Sequence, residues 1–313
     1  MTKTKKITIL LVLTLALLLV VIGAMRNEQN KQRKSAGDLG KLHVSATIFP
    51  LYDIAQQVGR DLVDVSLVLP AGASPHTFDP SPRTVKDIAK STMVLAIGHG
   101  IDAWVSDLAK NAGDIPVYTV DKGITLREFD ASNGDEHDEH EEGVDPHYWL
   151  SPVHAMQIAN NMVELFAALD PANTRTYQAN AREFRQQIEA SLLTWRREIA
   201  KIEHPEIITF HDAFSYFAED VGVTIVTTIE PFAGQEATAQ YLSQVTRIIA
   251  STGVSALFLE PQLVSRNIEA FARDNNLQLG TLDPIGGVRG RESYIDLMTY
   301  NVNQIVRVLS LQP

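Results

Sequence analysis

Three histidines and one aspartate stand in four short motifs whose residue types suit metal coordination. The motifs are Ser74-Pro75-His76-Thr77-Phe78-Asp79-Pro80, Asp145-Pro146-His147-Tyr148-Trp149-Leu150-Ser151-Pro152, His211-Asp212-Ala213-Phe214-Ser215-Tyr216-Phe217 and Leu282-Asp283-Pro284. Neutral imidazole and carboxylate together match zinc and its first-row neighbours. The chain has no cysteine, so thiolate ligation and disulfides are both excluded. Any metal must then be held by His, Asp or Glu. Four ligands drawn from across the chain make a site that only the folded protein builds, which points to a binding protein that captures a metal and not to an enzyme.

The elements that must carry these residues follow from hydrophobic patterning. Short β-branched runs alternate with helical patterns, as in parallel sheets with crossover helices. Strands are expected over 43–47, 63–69, 93–97 and 117–120, then over 207–210, 223–227, 256–259 and 277–282. Helices are expected between them, near 51–58, 83–89, 102–111 and 153–169, then near 213–221, 238–251, 266–275 and 294–309. A long helix over 173–202 separates the two sets, with Phe184, Ile188, Leu192, Trp195, Ile199 and Ile202 recurring at three- and four-residue spacing. His204-Pro205 ends it. The expected fold is α/β, two similar lobes with parallel sheets joined by a long backbone helix. The expected divisions are 1–40 leader and linker, 41–172 first lobe, 173–204 connecting helix and 205–313 second lobe.

In open parallel sheets ligands bind beyond the carboxyl ends of the strands, where strand order reverses. His76 follows the strand ending at Leu69, His211 follows the one ending at Phe210, and Asp283 follows the one ending at Leu282. His147 lies in a Pro-punctuated loop before a helix. Two candidates from each lobe place the site in the interlobe cleft. His99, after another strand, is a second-tier candidate, whereas His43, His154 and His204 read as structural.

Bulk composition narrows the setting. A positive start, Met1 to Lys6, precedes an uncharged apolar run from Ile7 to Ala24, the order of a secretory signal and long enough for a membrane anchor. Export follows, to a periplasm or the outer face of the cytoplasmic membrane, with the apolar segment either cleaved or kept as an anchor. Arg26 to Gly40 is polar, basic and without periodicity, a linker holding the folded part near the membrane. Residues 1–34 hold seven Lys/Arg and one Glu, so of the net −11 the remaining chain carries −17. That balance argues against nucleic acid as a partner.

At these motifs, together with Leu259-Glu260-Pro261-Gln262 and Thr281-Leu282-Asp283-Pro284, the chain resembles the metal-binding solute-binding proteins of ABC importers, most closely the zinc-uptake type. The likeness runs from about His43 to the C-terminus. It implies two α/β lobes on a backbone helix, with limited closure on binding and delivery of a divalent metal to a membrane permease; a monomer is expected. It also implies His76 and His147 as ligands from the first lobe, and His211 and Asp283 from the second, with water as the alternative to Asp283. Many zinc members carry a long histidine-rich loop; here the equivalent is only Asp135 to Glu142.

Manganese members tend to place Glu where this chain has His211. Three imidazoles and one carboxylate are softer and favour zinc, with manganese or iron as alternatives. A secreted zinc hydrolase is the rival from another class, with Glu230 or Glu260 as base. Against it, a fourth protein ligand closes the site, and the chain has no His-Glu-x-x-His pair, Gly-x-Ser-x-Gly elbow or phosphate loop. Glu260 reads better as the orienter of a ligand histidine. An adhesin-like surface protein with a structural metal is a third reading.

Overall fold

A computed structural model describes residues 41–128, 143–230, 237–263 and 268–310. The expected leader and linker, 1–40, and the acidic loop at 135–142 lie outside the described residues. Among the described residues no helix is long and apolar enough to cross a membrane.

The first sheet contains β1 (Leu42–Ala46), β2 (Val63–Leu67), β3 (Met93–Ala96) and β4 (Val117–Thr119), all parallel in the order β2-β1-β3-β4. The second contains β5 (Glu206–His211), β6 (Thr224–Glu230), β7 (Ala256–Leu259) and β8 (Gln278–Thr281) in the same arrangement, β6-β5-β7-β8. Crossover helices link successive strands: α1 (Phe49–Gly59), α2 (Pro82–Ile88) and α3 (Trp104–Asn111) in the first half. After β4 come α4 (Pro152–Leu169) and α5 (Thr174–Ile199), and the second half adds α6 (Ser215–Val221), α7 (Ala239–Thr252), α8 (Ile268–Asp274) and α9 (Tyr294–Leu309). The fold is α/β with two like sheets and a long helix between them, as the patterning implies.

Strand residues divide between the two faces with period two. In β3, Met93 and Leu95 enter the large central core, whereas Val94 and Ala96 pack outward with Ile88, Val105 and Leu108 of α2 and α3. Both faces of a crossover sheet are covered by helices, which is why such strands read as continuous apolar runs. In β5, Ile207 joins the central core, and Ile208 and Phe210 pack against Val245 and Ile249 of α7.

The helix starts are chemically marked. Ser151 caps α4 by accepting from His154 N, with Pro152 as first residue, and Ser293 caps α9 by accepting from Asp296 N. An N-terminal hydroxyl satisfies one of the orphan amides there. At 26 residues α5 spans about 39 Å at 1.5 Å per residue. Its buried face, including Tyr177, Phe184, Ile188, Leu192, Trp195 and Ile199, serves both halves. Asn180 Nδ2 donates to Val58 O on one side and Trp195 Nε1 donates to Thr299 Oγ1 on the other. One core runs through both lobes, from Val44 and Leu51 to Phe217, Tyr294 and Val302.

Candidate metal centre

The three histidines come from three different local structures. His76 is the middle residue of a single 3-10 turn, Pro75–Thr77, which Trp104 holds by donating Nε1 to Pro75 O at 3.2 Å. His147 opens the turn His147–Leu150, whose four side chains are all buried. His211 is the last residue of β5, one position inside the strand that the apolar run alone ends at Phe210. The strand extends because His211 still pairs with Glu230 at the end of β6.

Their rings meet. His147 Nε2 lies 3.3 Å from His76 Nε2 and 3.4 Å from His211 Nε2, and one ligand nitrogen from each ring falls within 4.8 Å of the others. Tetrahedral zinc with Zn–N bonds of about 2.0–2.1 Å places its nitrogens about 3.3–3.4 Å apart. The spacing therefore matches a single ion shared by the rings. His147 and His211 are buried, and His76 is partly open to solvent. Trp149, Leu263, Pro284 and Ile285 supply apolar walls beside them.

Carboxylates fix two of the three tautomers. His147 Nδ1 donates to Asp145 Oδ1 at 2.8 Å, and the same oxygen accepts the His147 amide at 2.9 Å. His211 Nδ1 pairs with Glu260, the residue immediately after β7. With both Nδ1 protons turned outward, the Nε2 atoms present lone pairs to each other once His211 gives up its second proton. Two facing acceptors repel unless a cation lies between them, and a carboxylate behind a ligand imidazole is the usual support for a bound metal. His76 has no such partner among the described residues.

The electrostatics separate His211 from the other two rings. Burial, then the two neighbouring rings, pushes His76 down to about 2, and burial with His211 beside it lowers His147 well below the ordinary histidine value. Burial also acts against charge on His211, but Glu260 outweighs it and holds that proton more tightly than usual. Asp145 is raised to about 7, chiefly by burial.

Asp283, the fourth sequence candidate, stands outside the histidine group. Its Oδ1 accepts from Gln262 Nε2 at 2.7 Å and from the Ile285 and Gly286 amides, and its Oδ2 faces Arg291 Nη1 at 2.8 Å. Gly286 and Gly287 hold positive φ in this loop, and a Cβ on Gly287 would approach the Phe49 ring to 2.8 Å. His99 is likewise apart, paired with Asp121 at 2.9 Å. Asp145 was not singled out by sequence reasoning, although a carboxylate two residues before a ligand in a Pro turn is the available signal.

The pattern of the family described as "Zinc-uptake complex component A periplasmic" matches residues 44–308. The chain belongs to this family. It is 29% identical over 304 residues to the high-affinity zinc uptake system protein ZnuA of Bacillus subtilis, covering 91% of this chain and 93% of that one. It is 27% identical over 321 residues to the manganese ABC transporter substrate-binding lipoprotein PsaA of Streptococcus pneumoniae, covering 98% and 99%. A crystal structure of ZnuA superposes with a TM-score of 0.73 at 25% identity, covering 86% of this chain and 98% of that one. Members of the family are transport components without catalysis, so the hydrolase alternative falls.

Proposed function

We propose that the protein captures zinc between its lobes outside the cytoplasm and delivers it to an ABC-type permease. His76, His147 and His211 hold the ion through Nε2. The observation that carries this reading is the pair of facing Nε2 atoms, 3.4 Å apart, on two imidazoles whose Nδ1 atoms are held by Asp145 and Glu260. Such a centre is organised in advance for a cation. The likeness to a manganese-binding lipoprotein supports manganese as the second cargo, with iron behind it, but three imidazoles favour zinc.

In this reading residues 41–172 and 205–313 act as the two lobes of a monomer, and 173–204 is the spacer between them. The apolar segment before residue 25 directs export and keeps the protein close to the membrane. The test is calorimetric titration of the metal-free full-length chain with zinc and with manganese in competition. One-to-one zinc binding that manganese does not displace is the expected result. Absence of tight binding by either ion would overturn the proposal.

A further inference from the structure

Behind the histidines runs a polar relay that metal capture by imidazole alone leaves unused. Both oxygens of Asp283 are committed, one to Gln262 and two amides, the other to Arg291. The Arg291 guanidinium in turn lies over the Tyr300 ring, 4.4 Å from its centre. Asp283 is 1% exposed, so this ion pair is shielded from solvent; it is a contact of charge, since Arg291 Nη1 and Nε make no hydrogen bond among the described residues. A carboxylate bound in this way is withheld from the metal.

Gln262 links this relay to the site. It lines the same cavity as His76, His147 and His211. A carboxylate only accepts, so the Gln262 amide must turn its NH2 toward Asp283 and its oxygen away. That oxygen, Oε1, is buried and has no hydrogen-bond partner among the described residues. A buried acceptor left unpaired has lost its hydration with nothing in return, so the site calls for a donor. Water bound to zinc is such a donor, because the ion polarises its O–H bonds.

We propose that Gln262 is the positioning residue of the fourth coordination place. Its Oε1 accepts a hydrogen bond from a water on the captured zinc, and the Arg291–Asp283 pair holds it in that orientation. The arrangement also sets selectivity: it keeps a carboxylate out of the coordination sphere, where an added oxygen ligand would suit manganese better. This rests on the zinc-capture reading.

The experiment compares zinc and manganese affinity in the full-length protein and its Gln262→Leu, Asp283→Asn, Arg291→Gln and Arg291→Gln/Asp283→Asn variants. Thermal unfolding of each checks the fold, and cobalt(II) spectra report coordination. Gln262→Leu is expected to weaken zinc by about tenfold, the lower end of what a residue supporting a ligand contributes. Arg291→Gln should shift the zinc-to-manganese affinity ratio toward manganese by about tenfold, and the double variant should restore it. Azide should displace the water in the cobalt-loaded wild type and move its visible bands.

Unchanged zinc affinity in Gln262→Leu would overturn the inference, as would cobalt bands indifferent to azide. A loss beyond about 100-fold in folded Asp283→Asn would do the same, because Asp283 would then be a ligand itself. If Arg291→Gln fails to fold, the half-buried Gln262 decides the matter alone. A wild type that binds no zinc would remove the capture reading as well, whereas normal wild-type binding with an unaffected Gln262→Leu removes only this one.

Discussion

The two sheets share one strand order, yet they use the same place in it for opposite ends. In each, the chain reverses direction across the sheet beside the first strand, β1 in one lobe and β5 in the other, which opens a crevice at the strand ends. In the second lobe that crevice holds His211 at the end of β5 and Glu260 just past β7. In the first it is filled by Asp102, which accepts from Thr47 Oγ1 beyond β1 and from the Ile97 and Gly98 amides beyond β3. The first lobe therefore sends its histidines from outlying turns. A strand end positions a ligand firmly but offers one place, whereas turns can reach across to meet it. One topology thus supplies an anchor on one side and a reaching arm on the other.

Four measurements would break or sharpen this contrast. The largest effect belongs to His211→Ala and His147→Ala, each expected to weaken zinc by more than about 100-fold, beyond the 10–100-fold typical of supporting residues. Competition against a fluorescent chelator reads this, and His76→Ala should lose less. An equal loss at all three would erase the distinction between supported and unsupported rings.

Asp102→Ala should act in the opposite sense, on folding and not on the metal. It strands a hydroxyl and two amides, at about 1–3 kcal/mol for each one left buried. Urea unfolding would show the destabilisation, while zinc affinity in the folded fraction stays near wild type. A large affinity loss would mean that the filled crevice of the first lobe also governs the site.

Next comes Glu260→Gln, expected to weaken zinc by about 10–100-fold because the amide no longer fixes the His211 tautomer with charge. The smallest effect is on protons. His76 and His147 are already neutral at physiological pH, so zinc should displace protons from His211 and Asp145 only. Protonated His211 cannot ligate, and its proton is held above the ordinary histidine value. Affinity should therefore fall as pH drops, with protons from His211 and Asp145 released as zinc binds near neutrality. Three released protons, measured in buffers of different ionisation enthalpy, would contradict the assigned tautomers.

Much of the fold was legible in the residues because it is local. The long helix expected over 173–202 is Thr174–Ile199, and the last helix is Tyr294–Leu309 as its pattern implies. Motif wording pointed to the three histidines, and strand ends pointed to their side of the sheets. What escaped is what depends on distant parts meeting. Nothing in the apolar run around Ile207–Phe210 indicates that Glu230 keeps His211 in the strand. Asp283 follows its strand as expected, yet a glycine-shaped loop folds Arg291 back onto it. Tyr294, whose amide donates to Asp53 Oδ2 and whose hydroxyl donates to Trp149 O, spans 241 residues in the first bond and 145 in the second.

The single core beneath both lobes bears on how a full molecule differs from an empty one. Domains swing freely only where their interface is small and wet; here Tyr294, Trp149 and Phe217 are packed with residues of both halves. In the proposed capture, the rings meet the ion inside a frame that yields little. The least supported ring is His76, which sits on the single turn Pro75–Thr77 without a carboxylate partner among the described residues. A partner that senses loading would accordingly feel the slackening of one short segment at the rim of the cleft, not a change in the molecule's outline.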